Sequence, residues 1–340
     1  MTDTTPHILV IGPAWVGDMV MAQSLFITLK QSVDNPPLID VVAPQWSLPL
    51  LARMPEVNRG IALPVSHKQL GLATRWRLGC RLKADRYDQA IVLPRSYKAA
   101  LVPWFAGIPR RTGYRGEMRY GAINDMRRLD KSVLFQTVQR YVALGREADA
   151  IQAPDIPRPS LRIDKENQQT LLRRFDLDTE KPVVAMMPGA EYGPAKRWPT
   201  EYFAELAAML VNRGKQVWVL GSQKELELGE VIAKSDNMFN LCGKTDLVDT
   251  VDLLALCESA VTNDSGLMHV ACAAGTRVFA IYGSSDPTYT PPLSENAKVI
   301  YQALDCSPCF ERVCPLGHTN CLNQILPGQI IEYMEQHEWV

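Results

Sequence analysis

The sequence lacks several features that would place it in a specialised class of proteins. It has no apolar run close to the ~18–20 residues that a membrane-spanning helix needs. The N-terminus, MTDTTPHILVIG, lacks the charged n-region and apolar h-region of a secretory signal. Net charge is also nearly absent, at −1, which argues against a dedicated nucleic-acid-binding protein. We therefore expect a cytoplasmic protein whose membrane contact would be peripheral.

The composition is that of an ordinary globular protein, with 46% hydrophobic and 21% charged residues. A length of 340 residues exceeds the usual limit for one hydrophobic core, so two domains are expected. Three prolines make the segment Ala153–Ser160 the best linker candidate. We predict an N-terminal domain over residues 1–155, a second domain over 161–325, and a C-terminal helix within 326–340 that packs back on the first domain.

Short β-branched apolar runs alternate with helical patterns on both sides of this linker. Strands are predicted at His7–Ile11, Leu38–Ala43, Gln89–Leu93, Pro182–Met187 and Gln216–Leu220, among others. Strands that alternate with helices at this spacing form parallel sheets covered on both faces. The sequence therefore predicts an α/β fold with two doubly wound domains. The polar, basic stretch Arg110–Arg128 interrupts the alternation and is predicted to be a loop region over a site.

Half of the eight cysteines lie in one short segment, CSPCFERVCPLGHTNC. Its Cys306, Cys309, Cys314 and Cys321 follow the spacing C-x2-C-x4-C-x6-C, with His318 between the last two. Thiolates at such intervals can close a tetrahedron around zinc, but the paired C-x2-C knuckles of familiar zinc ribbons are missing. Two interpretations stay open, a zinc site and a loop of packed or oxidisable thiols.

The segment VTNDSGLMHVACAAG (Val261–Gly275) passes from a predicted strand into a predicted helix. Asp264, Ser265 and Gly266 lie at the turn between them. The unpaired N–H groups and the dipole of a helix N-terminus make such a turn a site for phosphate. A plain N-cap by Asp264 or Ser265 is the alternative. His269, one turn further on, is either a packing residue or a catalytic one.

A second loop, MMPGAEYGPAKRWP (Met186–Pro199), carries Lys196 and Arg197, cations suited to a polyanion. A solvated Lys-Arg pair is the alternative. Glu225 or Glu227, at a further strand-to-helix turn, is a candidate for binding a ribose diol. The simplest interpretation is a pyrophosphate held between two loops of one α/β domain.

The turn Gly12–Asp18 joins the first strand to the first helix but is no dinucleotide fingerprint. Pro13 and Trp15 crowd the turn, so a nicotinamide cofactor is not expected. Asp18 lies at the carboxyl end of the sheet, where α/β active sites form. There it is either a dipole-compensating cap or a general base for an acceptor hydroxyl.

Basic residues are concentrated in the first half of the chain. Between Val92 and Arg128 the only acidic residues are Glu117 and Asp125. The basic ones are Arg95, Lys98, Arg110, Arg111, Arg115, Arg119, Arg127 and Arg128. Arginine forks suit carboxylates and phosphates, so we expect these residues around a site, with a solvated surface as the alternative.

Together these segments resemble the ADP-heptose:lipopolysaccharide heptosyltransferases over nearly the whole chain. The most specific stretches are IGPAWVGDMVMAQSL, VLPRSYKAALVPWFAGIPRRTGYRGEMRYG, PGAEYGPAKRWP and TNDSGLMHVACAAG. The resemblance implies a GT-B fold, in which two Rossmann-like domains face a cleft with the donor in the C-terminal one. It also implies transfer of L-glycero-D-manno-heptose from ADP-heptose to the first heptose of the lipid A-linked inner core. Separately, we expect an inverting reaction without metal or cofactor, and peripheral contact with the cytoplasmic face of the inner membrane.

The resemblance also assigns roles to individual positions. Asp18 falls on the proposed general base, and Lys196 on a catalytic lysine that contacts the donor phosphate. The implied donor-binding residues are Gly189, Lys196, Glu225, Asp264, Ser265, Gly266 and Leu267. The implied acceptor-binding residues are Gly17, Lys98, Arg115 and Arg119. The alternatives are transfer to Kdo or to a later heptose, a two-domain sugar-nucleotide epimerase, and a non-catalytic nucleotide sensor.

Overall fold

The computed structural model describes residues 5–31, 34–65, 69–147 and 152–336. The chain divides into two compact units, Met1–Pro159 and Ser160–Val340. The division falls inside the proline-rich segment Ala153–Ser160. Among the helices that these ranges contain, none combines the length and the apolar character needed to cross a bilayer.

The first unit is a parallel six-stranded sheet with the strand order β3-β2-β1-β4-β5-β6. Its strands are β1 (His7–Ile11), β2 (Leu38–Ala43), β3 (Arg59–Ala62), β4 (Gln89–Val92), β5 (Arg110–Tyr114) and β6 (Asp125–Arg127). Its helices are α1 (Val16–Gln31), α2 (Leu48–Ala52), α3 (Leu72–Leu82), α4 (Leu101–Phe105) and α5 (Thr137–Ala143). Helix α1 is buried along most of its length and packs against α5.

The second unit repeats this topology, with the order β12-β11-β10-β7-β8-β9. Its strands are β7 (Val183–Met187), β8 (Gln216–Val219), β9 (Met238–Asn240), β10 (Ser259–Asn263), β11 (Arg277–Tyr282) and β12 (Ala297–Tyr301). Its helices are α6 (Lys165–Phe175), α7 (Thr200–Val211), α8 (Leu226–Ile232), α9 (Leu247–Leu254), α10 (Gly266–Ala274), α11 (Asn320–Asn323) and α12 (Pro327–Gln336). If β7 is counted as the first strand of this unit, the order is the 3-2-1-4-5-6 order of a Rossmann sheet.

Each sheet has one point where the direction of its connections reverses. In the first unit this point lies between β1 and β4, and in the second it lies between β7 and β10. Ligands of open α/β sheets bind in the crevice beyond the carboxyl ends of the strands at such a point. The loops selected from the sequence follow these four strands. The topology therefore brings Asp18 and Lys98 to one switch point and Lys196 and Asp264 to the other.

The structure differs from the sequence-based expectations at two places. The stretch Arg110–Arg128 is not a loop region throughout, because it contains β5 and β6 at the sheet edge. Its arginines suit strands here since Asp125 pairs with Arg110 at 3.0 Å and Arg127 at 2.8 Å. Ala297–Tyr301 forms the unpredicted edge strand β12. Helix α12 packs against α7 and adds Ile330, Ile331 and Met334 to the core of the second unit, and its packing on the first domain stays a prediction.

Candidate active site

The turn after β10 holds an ion pair between the two strongest candidates of the second unit. Lys196 Nζ donates to Asp264 Oδ2, which also accepts a hydrogen bond from Ser285 Oγ. Both side chains of the ion pair are largely buried. The ammonium also lies 5.0 Å from the centroid of the Tyr192 ring. The Lys196 ammonium is therefore held in one place beyond the carboxyl ends of β7 and β10, where a negatively charged ligand would meet it.

The backbone on either side of Lys196 is held by the amide of Asn263, the last residue of β10. Asn263 Nδ2 donates to Pro188 O at 2.7 Å, and its Oδ1 accepts from Trp198 N at 2.9 Å. Trp198 is buried, and its indole donates to Ile325 O at 2.8 Å. The loop after β7 is thus fastened at both ends to the neighbouring strand, which explains how a Gly- and Pro-rich segment positions a lysine.

The N-terminus of α10 is not capped by a side chain. Ser265 occupies the N-cap position, but its hydroxyl makes no capping hydrogen bond to the helix backbone. Ser265 Oγ, His269 Nδ1 and Ser284 Oγ are buried and find no hydrogen-bond partner within the described ranges. The plain N-cap interpretation of this turn is therefore wrong for both residues, since the Asp264 carboxylate is engaged by Lys196 and Ser285. The first-turn N–H groups of α10 are therefore left without a cap from Ser265, and such groups can bind an anion.

His269 lies in the first half of α10, and its side chain is buried and neutral. Burial lowers the pKa of His269 to about 4, and the positive charge of Lys196 acts in the same direction while Asp264 opposes it. The imidazole consequently carries no charge at neutral pH. It can offer one hydrogen bond in either direction without adding to the positive charge of the site.

Glu225 and Gly189, both predicted donor-binding residues, lie against each other. A Cβ atom on Gly189 would come within 2.8 Å of Glu225 Cγ, so the absence of a side chain there admits the glutamate. The carboxylate of Glu225 accepts from Ser222 N at 2.8 Å and from Ser222 Oγ at 2.6 Å. Glu225 therefore completes a capping box, whereas Glu227 is exposed on α8. A ribose contact for Glu225 stays a prediction.

The cysteine segment supports the Lys196 loop from the other side. Ala195 N donates to Arg312 O at 3.1 Å, and the Tyr192 hydroxyl donates to Phe310 O. One pocket is lined by residues of both segments and by Ser284, which follows β11. Its lining includes Ala195, Cys306, Cys309, Cys314, His318 and Cys321. All eight cysteines are free thiols. In the described part of the chain, no three His, Cys, Asp or Glu side chains are arranged to hold a metal ion.

In the first unit, Asp18 lies in the first turn of α1, directly after the buried Gly17. Burial raises the pKa of Asp18 to about 6, and a hydrogen bond from the Tyr141 side chain of α5 counteracts part of this rise. A carboxylate with such a pKa is ionised at neutral pH and still basic enough to accept a proton from a reacting hydroxyl. No pattern in the sequence indicates that Tyr141 contacts Asp18, because only the packing of α5 on α1 brings the two side chains together.

The basic residues predicted to bind an acceptor differ in their accessibility. Arg115 is exposed directly after β5, and Lys98 is half-buried after β4, donating to Gln69 O at 3.4 Å. Arg119, by contrast, is fully buried, and its guanidinium donates to Tyr114 O and to Pro94 O, the latter at 2.7 Å.

The prediction that Arg119 contacts an acceptor is therefore corrected. Every hydrogen bond described for its guanidinium goes to a backbone carbonyl, including that of Ser96 at 3.5 Å. Its position joins the segment after β4 to the segment after β5. Arg119 thus supports the backbone that carries Lys98 and Arg115 and does not itself reach a ligand.

Comparison with known proteins gives a consistent result. The family model for glycosyltransferase family 9 (heptosyltransferase) matches residues 75–320. Lipopolysaccharide heptosyltransferase 2 of Salmonella typhimurium is 46% identical over 336 residues, which cover 96% of each chain. Lipooligosaccharide heptosyltransferase 2 of Haemophilus influenzae is 47% identical over 307 residues, covering 86% of this chain and 88% of the relative.

Solved structures agree with these relationships. The structure of E. coli ADP-heptose LPS heptosyltransferase II superposes with a TM-score of 0.85 at 44% identity, covering 97% of this chain and 98% of the other. A family 9 glycosyltransferase from Veillonella parvula shares the fold, with a TM-score of 0.85 at 20% identity. The two Rossmann-like units are those of a GT-B-like enzyme, and the chain belongs to glycosyltransferase family 9, the heptosyltransferases.

Proposed function

We propose that this enzyme transfers L-glycero-D-manno-heptose from ADP-heptose to the first heptose of the lipopolysaccharide inner core, carried on Kdo2-lipid A. The observation that carries the proposal is 46% identity, over 96% of both chains, to relatives named lipopolysaccharide heptosyltransferase 2. The anion site of the second unit and the ionisable carboxylate of the first are the chemical groups such a transfer needs. We further propose that the enzyme works in the cytoplasm, as a peripheral protein of the inner membrane.

The diphosphate of the donor is proposed to bind at Lys196 and the N-terminus of α10. Lys196 supplies a buried positive charge, and the N–H groups near Ser265, Gly266 and Leu267 supply hydrogen-bond donors without a competing side-chain cap. Donors that are already aimed at developing charge stabilise a transition state strongly. Negative charge that develops on the leaving ADP would be stabilised by these groups, and the reaction as proposed uses no metal ion.

Asp18 is proposed as the general base. The acceptor hydroxyl attacks the anomeric carbon of heptose from the face opposite ADP, and its proton passes to the Asp18 carboxylate. A new C–O bond forms while the bond from the anomeric carbon to the phosphate oxygen breaks, so the anomeric configuration inverts.

The acceptor is proposed to bind the first unit through Gly17, Lys98 and Arg115. The inner core presents acidic sugars and phosphate, for which lysine and arginine are suitable partners. The exposed position of Arg115 is compatible with such a contact. An epimerase or a nucleotide sensor would have no use for this basic segment, and the identity to heptosyltransferase 2 proteins favours transfer over both.

The test is a measurement of ADP release from ADP-heptose with three additions: none, Kdo2-lipid A, and heptosyl-Kdo2-lipid A. We expect release only with the heptosyl acceptor, together with a product heavier by one heptose. Release with Kdo2-lipid A instead would assign the enzyme to the first heptose. A changed sugar nucleotide in the absence of acceptor would indicate an epimerase, and binding without turnover would indicate a sensor.

A further inference from the structure

The outer side of α3 in the first unit exposes an unusual combination of side chains. Leu72 and Trp76 lie one helical turn apart and are 51% and 53% exposed. Arg77 and Arg81, again one turn apart, are exposed beside them. Residues separated by four positions lie on the same face of a helix, so an apolar stripe runs next to a basic one.

This exposed apolar stripe is not the stripe that packs the helix into the core. Leu78 and Leu82 fulfil that role and are buried. Arg75 is buried as well, and its Nε donates to Leu70 O at 2.7 Å, which fastens the segment before the helix. Leu70 is itself exposed. The outward-facing apolar side chains are therefore held on a well-packed helix.

Helix α4 packs beside α3 and exposes a further aromatic side chain. A Cβ atom on Gly79 would lie 2.5 Å from Phe105 Cβ, so this glycine lets α3 and α4 pack in direct contact. Trp104 of α4 is 47% exposed and stacks at a tilt against Phe105, with 5.2 Å between ring centroids. Two half-exposed tryptophans thus lie on adjacent, closely packed helices. We name Leu70, Leu72, Trp76, Arg77, Arg81 and Trp104 the α3–α4 surface.

The charge of this surface is positive. Neither α3 (LATRWRLGCRL) nor α4 (LVPWF) contains an acidic residue. The first acidic residue after α3, Asp85, is paired with Arg59 at 2.8 Å. The arginines therefore have no acidic partner on their own elements, and their charge is available to an anionic surface.

We propose that the α3–α4 surface docks the enzyme on an anionic lipid bilayer. Tryptophan and leucine enter the boundary between headgroups and acyl chains, while the arginines contact lipid phosphates. The inference rests on the proposed function in one respect, because a lipid-linked acceptor must be reached at a membrane. Lys98, a proposed acceptor residue, hydrogen-bonds Gln69 O beside Leu70, so the docking surface adjoins the acceptor residues.

A second copy of the chain is a less suitable occupant. A two-fold contact through this surface would bring the arginine stripes of both copies together, and like charges across an interface are unfavourable. An anionic bilayer, in contrast, satisfies the apolar and the basic stripes at the same time.

The test is cosedimentation of the full-length enzyme with vesicles of phosphatidylethanolamine and phosphatidylglycerol, compared with vesicles of phosphatidylcholine. We expect binding to the anionic vesicles, weakened by salt. Each basic residue near an anionic surface contributes about 1 kcal/mol, so Arg77→Gln/Arg81→Gln should lower the partition coefficient about thirtyfold. The double variant Leu72→Ser/Trp76→Ser should also have a lower partition coefficient. Because this variant keeps both arginines, its remaining binding should be more sensitive to salt.

Two matched controls lie in the second unit. Arg173→Gln/Arg174→Gln removes the same charge from exposed positions of α6, and Leu326→Ser removes a leucine that is 50% exposed. Neither control should change vesicle binding. Equal losses in the controls and the α3 variants would overturn the proposal, as would equal binding to both kinds of vesicle or none by the unsubstituted enzyme.

Activity separates this inference from the proposed function. Toward a deacylated, water-soluble acceptor, the α3 variants should keep the kcat/KM of the unsubstituted enzyme, while activity on acceptor in vesicles should fall. If vesicle binding is lost as expected but no heptose is transferred by any form, the proposed function fails and the docking surface stands. A different result would overturn the proposal. If the enzyme is a dimer in sedimentation velocity and Trp76→Ser dissociates it, the α3–α4 surface binds a second copy of the chain and not a bilayer.

Discussion

At the scale of single residues, the burial of charged groups is the main determinant of the candidate chemistry. Asp18 lies on a helix that is apolar on nearly every side, and Arg119 is enclosed by backbone carbonyls. Both residues carry charge where desolvation opposes it, but with different consequences. The ionised form of Asp18 is destabilised, which makes the carboxylate more basic, whereas Arg119 keeps its charge and satisfies otherwise unpaired carbonyls.

Replacement of Asp18 should separate activity from stability. Asp18→Asn should lower kcat at least a hundredfold, because the variant has no group to accept the acceptor proton. A rise in pKa from 3.8 to about 6 corresponds to about 3 kcal/mol of penalty on the ionised form, so the variant should unfold at higher urea concentration at pH 8.

The sign of the stability effect follows from the protonation states. A raised pKa in the folded protein means that stability is lost as pH rises from 3.8 to about 6. The advantage of Asp18→Asn should therefore be absent near pH 3.5 and complete above pH 7. Asp155→Asn, at an exposed position, serves as control. Turnover within a few-fold of the unsubstituted enzyme would refute the role as base.

Removal of the Tyr141 hydroxyl should shift the pH dependence of the reaction. In the unsubstituted enzyme, kcat/KM should increase with pH and level off above the Asp18 pKa of about 6. The hydrogen bond from Tyr141 stabilises the ionised carboxylate, so Tyr141→Phe should raise this pKa and move the acidic limb to higher pH. A pH–rate profile of both enzymes tests the shift. An unmoved limb would show that Asp18 does not control it.

The structural role of Arg119 predicts a stability effect. Arg119→Met would remove the donor from the buried carbonyl of Tyr114 and from the partly buried carbonyl of Pro94, and each unpaired buried group costs about 1–3 kcal/mol. The free energy of unfolding should fall by about 3 kcal/mol. Arg115→Gln, at an exposed position, should leave stability unchanged while raising the KM for acceptor. The reverse pattern would restore Arg119 as a direct ligand.

At the scale of elements, the loops that follow β7 and β10 act as one unit. The Asn263 side chain hydrogen-bonds the backbone of the loop after β7, and Lys196 and Asp264 form an ion pair between the two loops. The cysteine segment contacts the Lys196 loop through the hydrogen bond from Ala195 N to Arg312 O. The helix that follows, α10, begins without a side-chain cap. Its N-terminus is consequently open to the donor diphosphate that we propose to bind there.

Ser265 provides a test of this arrangement. A serine that caps a helix contributes about 1 kcal/mol, which is lost on substitution by alanine. Because the Ser265 hydroxyl makes no such bond, Ser265→Ala should change the free energy of unfolding by less than about 0.5 kcal/mol. The same variant should bind ADP more weakly in calorimetry. A capping-sized loss of stability with unchanged ADP affinity would contradict the proposal.

At the scale of the whole molecule, one topology occurs twice. Both sheets show the Rossmann strand order, although the two halves of the sequence show no obvious repeat. Each half therefore provides one switch point, and the proposed chemistry is divided between them. The proposed base and the basic residues belong to the first unit, and the proposed diphosphate site belongs to the second.

Binding of ADP should accordingly stabilise the second unit. A ligand at a hundred times its Kd adds about 2.7 kcal/mol to the stability of the folded form that binds it. In scanning calorimetry of the full chain, saturating ADP should raise the transition of the second unit, and Lys196→Ala should remove most of this shift. Arg115→Gln should retain it. An equal shift in Lys196→Ala would exclude that lysine from the ADP site.

The sequence by itself determined the parallel α/β class, most strands of both sheets and the loops that carry the candidate chemistry. Apolar periodicity and strand-to-helix turns are local features, so they can be recognised without tertiary contacts. The tertiary structure decided which of these residues meet. The contact of Tyr141 with Asp18, the burial of Arg119 and the strands β5, β6 and β12 depend on residues far apart in the chain. Arginines at Arg110 and Arg127 suggest a solvated loop until Asp125 is placed between them, and no local pattern reveals that pairing.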